Sequence, residues 1–270
     1  MATPPKGARA AIVTVTTGFG QRTLAVARAA PGQTALTALR RVTHVSTRYG
    51  GRFVEAIDGL AGDQSKGMAW LYFVNGIQAN VGAADYTLHP GDREWWDYRY
   101  WNDLIQVPVA IGAWPEPFVH GYGGARPAVS VTGPACASRL TGALRAAGAR
   151  IVRQATQFSV RVETFAHAAS ALSASVWQGR GLTVSLSAGR VMVYRGRAGL
   201  EPDPAAHAVI AAYQPGGSTG RSAELVVAGD TTASACAAAA TLADRPASVR
   251  DAYAVALDAA GHVIAWGGRP

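Results

Sequence analysis

The sequence predicts an α+β protein, with a β-grasp-like domain over residues 8–106, a connector at 107–127 and a small α/β sandwich domain over 128–270. Three observations carry this. Apolar and polar residues alternate in the two-residue period of strands through most of the N-terminal part, around one short helical stretch. A Pro/Gly-rich segment, VPVAIGAWPEPFVHGYGGARP, then interrupts the pattern at 107–127. Beyond it, strand-like and helix-like stretches take turns, the pattern of an α/β layer structure.

Residues 11–17 (AIVTVTT) alternate as a strand, Gly18-Phe19-Gly20 turns the chain, and 22–28 returns it. Pro31-Gly32 stops that hairpin, and 34–42 places Leu36, Leu39 and Val42 at helical spacing behind Gln33 or Thr34 as cap. Residues 45–49 and 52–57 form a hairpin around Gly50-Gly51. Asn75-Gly76, between WLYFV and IQANV, is the strongest hairpin signal, because both central positions of a type I′ turn need positive φ. Pro90-Gly91 turns into an aromatic strand at 93–101. In the second half, 129–132, 158–162, 182–186 and 190–194 read as strands, and 136–147 and 204–213 as helices. The run 225–228, 231–242, 253–257 reads as strand, helix, strand, with Asp230 or Thr231 as the helix cap.

Bulk composition narrows the function classes. Of the 270 residues, 49% are hydrophobic and only 16% charged, a globular balance and not a disordered one. No run approaches the roughly 18 apolar residues of a membrane span. The net charge of +8 is spread as single arginines with no Lys/Arg block, so no nucleic-acid partner is expected; anionic ligands, wall polymers or solubility account for it. Cys136 and Cys236 have no Cys or His at metal-ligand spacing. They are compatible with one disulfide, in an oxidising compartment, or with two buried small hydrophobes. Residues 1–7 carry no signal core, which fits either a cytoplasmic protein or a mature exported segment with a start Met.

The candidate site lies in residues 70–101, which hold Trp70, Trp95, Trp96 and Trp101 with Tyr72, Tyr86, Tyr98 and Tyr100. Strand alternation puts Trp96, Tyr98 and Tyr100 on one face, expected to pack on the Leu36/Leu39 helix. It puts Trp95, Asp97, Arg99 and Trp101 on the other, expected to be partly exposed. An Asp-Arg pair flanked by indoles would stack a flat ligand and hydrogen-bond its rim. The competing expectation is a charge pair on a solvated strand, with Trp95 and Trp101 tucked under the connector. Arg93 would meet an anionic group, while Trp114, Phe118 and Tyr122 would complete the site. Phe118 and Tyr122, bracketed by Pro117 and Gly121, are expected to close as a lid. Catalytic signals are weak. Gly216-Gly217-Ser218-Thr219-Gly220 fits G-x-S-x-G but precedes a strand, the reverse of a nucleophile elbow, and no enzyme is expected.

One resemblance sharpens the ligand class. Trp70-Leu71-Tyr72-Phe73-Val74-Asn75-Gly76, Ala83-Ala84-Asp85-Tyr86, Pro90-Gly91-Asp92 and Trp96-Asp97-Tyr98 together resemble the C-terminal β-domain of the transcobalamin and intrinsic factor family and related SLBB-like bacterial domains. The chain as a whole resembles two-domain exported actinobacterial proteins that carry this domain. The animal proteins close a helical domain over cobalamin; this sequence has no such domain. The resemblance implies an extracellular or cell-surface binder of a corrinoid such as cobalamin, bound as ligand and not as a required cofactor, feeding a membrane importer. The alternatives are a cell-surface protein-interaction module and a binder of haem or a wall glycan.

Overall fold

The computed structural model describes residues 9–215 and 222–269; the 216–220 motif therefore lies outside the described residues. Alternation in β1 (Ala11–Thr17) buries Ala11, Val13 and Val15 on one face, and β2 (Arg22–Ala29) returns antiparallel to it. Thr34 caps α1 (Ala35–Leu39), its hydroxyl accepting from the Thr37 N–H. A small sheet of β3 (Val45–Arg48), β4 (Phe53–Ile57) and β5 (Leu60–Ala61) follows. The chain then runs through β6 (Met68–Val74), β7 (Ile77–Gln78) and β8 (Arg93–Tyr100). Asn75 and Gly76 join β6 to β7 with φ of 54° and 76°, as the Asn-Gly turn requires. The sheet order is β2-β1-β8-β6-β7, with β8 parallel to β1; a hairpin, a helix across the sheet and a late parallel strand is the β-grasp arrangement.

The second half is built on a seven-stranded sheet of order β10-β9-β11-β16-β15-β17-β18. Its elements are β9 (Ala128–Thr132), α2 (Ala137–Ala147), β10 (Arg150–Ile151), β11 (Phe158–Thr164), α3 (Phe165–Ala168), α4 (Trp177–Arg180), β12 (Val184–Ser187), β13 (Arg190–Tyr194) and β14 (Leu200–Pro202). They continue with β15 (Ala208–Tyr213), β16 (Ala223–Gly229), α5 (Thr232–Asp244), β17 (Val255–Leu257) and β18 (Val263–Trp266). Helices α2 and α5 cover one face, with Leu140, Leu144, Ala238 and Leu242 against Val160, Val162, Leu225 and Val227. The β12-β13-β14 sheet covers the other, through Val184, Leu186, Val191 and Val193. Thr231 caps α5 in a reciprocal hydrogen-bonded box with Ser234. Cys136, just before α2, is disulfide-bonded to Cys236 in α5, across 100 positions of chain. Among the described residues no helix is long and apolar enough to cross a membrane.

Two expectations change here. Residues 204–213 are predicted helical, but Ala208–Tyr213 is a strand paired antiparallel with β16 and β17. Its alanines favour a helix locally. All six residues are buried in the middle of a sheet covered on both faces, which asks only for an uninterrupted apolar run. The connector also differs from a flap. Val109, Ile111, Trp114 and Phe118 are buried in the core beside Val129 and Phe158, so they act as a wedge of hydrophobic core.

Candidate functional site

Strand β8 lies between β1 and β6, so its register fixes where every aromatic side chain goes. One face follows expectation in its buried part: Trp96 joins Leu36 and Leu39 in the core, stacked on Tyr72 with ring centroids 4.6 Å apart. The other face departs from the predicted platform. Trp95 is 5% exposed, and Asp97 and Arg99 are fully buried.

Side chains from the second half and from the β1–β2 turn close over them. The Trp95 ring packs 4.9 Å from Tyr253 and 5.1 Å from Phe73. Asp97 accepts hydrogen bonds from the Tyr253 hydroxyl at 3.0 Å, the Thr16 hydroxyl at 2.6 Å and the Gly20 N–H at 3.2 Å. Burial pushes its carboxyl above the usual range, opposed by those donors and by Arg99. The Arg99 guanidinium lies over Phe19 at 5.1 Å and Tyr253 at 5.4 Å and donates to the Leu104 carbonyl at 2.7 Å. These residues join the two halves of the molecule and offer no face to a ligand. Of the remaining predicted contacts, Trp101 is half-buried just past the end of β8 and Arg93 is half-buried at its start. Trp114 and Phe118 are core residues, so no lid forms from Phe118; Tyr122 alone lines an open cavity.

That cavity is a groove of about 1080 Å³ between the two halves. One wall is the 80–89 loop, with Asn80, Asp85, Tyr86 and His89; the other runs from Arg150 through Gln154, Thr156 and Gln157 to Phe158. Tyr122 to Ala128 crosses between them. The Tyr86 and Tyr122 rings meet at 5.0 Å, and their hydroxyls are fixed: the Tyr122 hydroxyl donates to Asn80 Oδ1 at 3.1 Å, and the Gly123 N–H donates to the Tyr86 oxygen at 3.0 Å. Behind them Asp92, fully buried, accepts from Asn75 Nδ2 at 2.8 Å and the His89 N–H at 2.8 Å. Asn75 Nδ2 also donates to the Gly121 carbonyl at 2.7 Å, so the turn residue ties the floor of the groove to its crossing strap.

Burial raises both phenols above their usual value, so they stay neutral hydrogen-bonding groups. Deeper still, Glu94 is fully buried with one hydrogen bond, from Trp96 Nε1 at 2.6 Å, and burial pushes its carboxyl up to about 8. Arg126 and Arg150 supply positive charge at the groove, where Asp85 is ion-paired to Arg52 at 2.8 Å. The combination is one partly exposed ring, Tyr122, backed by the buried Tyr86, with a rim of amides, hydroxyls and guanidiniums. No group of three His, Cys, Asp or Glu that could hold a metal occurs among the described residues. Sequence reasoning missed this groove because its walls come from three separated segments; the signal within reach was the Tyr122-Gly123-Gly124 run, whose glycines both have positive φ.

Residues 32–99 match the family model of a domain of unknown function, DUF4430. The match ends within the aromatic strand. No curated protein matches the chain. Among solved structures, a provisional metal-binding protein from Ruminococcus gnavus ATCC 29149 is similar at 21% identity and a TM-score of 0.29, over 34% of this chain and 97% of that one. Haptocorrin in complex with Cbi is similar at 14% identity and a TM-score of 0.30, over 37% of this chain; the chain spans 27% of haptocorrin's length.

Proposed function

We propose that this protein is an extracellular, non-enzymatic binding protein that holds a corrinoid of the cobalamin type in the groove between its halves and passes it to a membrane importer. The groove carries the reading: at about 1080 Å³ it reaches the upper end of small-molecule sites and suits a large ligand. A corrin ring would lie on Tyr122, backed by the buried Tyr86, its amide edges against Gln154, Thr156 and Gln157, and its nucleotide phosphate near Arg126 or Arg150. The resemblance of residues 70–98 to the transcobalamin β-domain supplies the ligand class, and the Cys136–Cys236 disulfide supports an oxidising compartment.

Incubation with cyanocobalamin followed by desalting should leave coloured protein. Tyr122→Ala with Arg126→Ala should lower retention at least tenfold while the far-ultraviolet spectrum is unchanged. Protein that stays colourless at millimolar cyanocobalamin would sink the corrinoid reading, and colour gained only with haem would reassign the groove. A second reading has its own observation: Tyr49 is 78% exposed, Phe53 49% and Val81 42%, and Val81 lines the groove. Exposed aromatics of this kind suit a protein partner. Retention of cyanocobalamin with full affinity by a Tyr49→Ser, Phe53→Ser double variant would separate that surface from the groove.

A further inference from the structure

The second sheet contains a feature that the interdomain groove does not use. After β9 the chain passes through α2 to β10 on one side; after β11 it leaves through α3 and α4 toward the opposite face, and returns to the sheet as β15 and β16. Strands β9 and β11 are parallel neighbours, so their C-terminal ends flank a point where successive connections diverge. Open α/β sheets form ligand crevices at such points, because the diverging loops cannot fill the space between them.

Here the crevice is a pocket of about 310 Å³. Gly133, with φ of 142°, brings the loop after β9 directly over β11: a Cβ there would lie 2.5 Å from the Val162 carbonyl oxygen. The loop is thereby held to one side and the mouth stays open toward Thr164, His167 and Thr232.

The lining chemistry selects the occupant. Arg161 pairs with Glu163 at 3.3 Å and with Glu224 at 2.5 Å, so its positive charge is already taken up by two carboxylates. Glu163 Oε1 and Arg161 Nε are enclosed and have no hydrogen-bond partner within the protein. That leaves one acceptor and one donor without a partner in the wall, beside the hydroxyls of Thr132 and Thr232, which do either, and of Thr164, which already meets His167 Nδ1 at 2.9 Å. Burial raises the Glu163 carboxyl above its ordinary value, opposed by Arg161. An anionic ligand would find no free positive charge there. A molecule with adjacent hydroxyls, each both donor and acceptor, matches the wall without one. We propose that this pocket is a second ligand site, for a neutral polyhydroxylated molecule of monosaccharide size. It is too small for a corrinoid, and it lies at the far end of β11 from the groove. Phe158 lines the groove and Thr164 the pocket, about 20 Å apart along a seven-residue strand.

Saturation-transfer NMR on the full chain with D-glucose and myo-inositol, against L-alanine and inorganic phosphate, tests the assignment. Transfer to a polyol is expected, falling to background in Thr232→Tyr, which plugs the mouth from an exposed position, and weakening at least fivefold in Glu163→Gln. Cyanocobalamin retention should be unchanged in Thr232→Tyr, so failure of the groove reading and failure of this one are read separately. Absence of transfer to either polyol, transfer that persists in the plugged protein, or transfer to alanine or phosphate alone would each overturn the proposal. Should Glu163→Gln fail to fold, the Thr232→Tyr result decides by itself.

Discussion

Trp95, the residue that looks most like a ligand platform in the sequence, is a structural residue of the contact between halves. Truncating a buried indole costs about 3–5 kcal/mol, so Trp95→Ala should unfold at clearly lower denaturant concentration. Tyr253→Phe removes one donor from the buried Asp97 carboxylate and should cost about 1–3 kcal/mol in the same urea titration. Glu94 gives a pH signature. Its carboxyl is raised from 4.5 to about 8 by burial, so the folded state keeps its proton where the unfolded chain has lost it. Its contribution is complete below about pH 4.5, declines as pH rises, and is gone above about pH 8. Glu94→Gln should flatten the fall in melting temperature across that window, and an unchanged slope would remove Glu94 as its source. Strand alternation in residues 93–100 correctly separates the two faces; what covers Trp95 comes from separated segments, Tyr253 of the second half among them, which no local pattern encodes.

At the scale of elements, turns and caps were the most readable parts. Asn75-Gly76 and the Thr231 cap each rest on a single backbone requirement that few residues meet. The 204–213 stretch shows the converse, since alanine-rich composition cannot report that the chain will be sandwiched in a sheet. Helices α2 and α5 are tied by Cys136–Cys236, and closing a loop across 100 positions predicts a large stabilisation, about 2–5 kcal/mol. Thiol titration of the denatured protein without reductant should find no free thiol. Reduction should lower the melting temperature, and two titratable thiols before reduction would exclude the bond.

For the whole molecule, the contact between halves is a buried aromatic cluster of Phe19, Phe73, Trp95, Tyr194 and Tyr253. An interface of that kind couples the two sheets, so a single cooperative unfolding transition is expected by both fluorescence and circular dichroism. A chain cut after residue 106 would lose Tyr194 and Tyr253 and leave Trp95 uncovered; it should bind a hydrophobic dye that the full chain does not. Two separate transitions in the intact protein would show that the cluster does not couple the halves. The same contact fixes the groove, because its walls belong to opposite halves.

The α+β class, the hairpins, most of the helices and the faces of the aromatic strand are legible in the order of residues, because each depends on periodicity or on a residue with unusual backbone freedom. Which face is covered, and where a cavity remains, follows from how the folded segments pack. Burial depends on segments far apart in the chain meeting, and the tyrosines, arginines and amides of the groove carry no pattern until the two sheets are placed side by side.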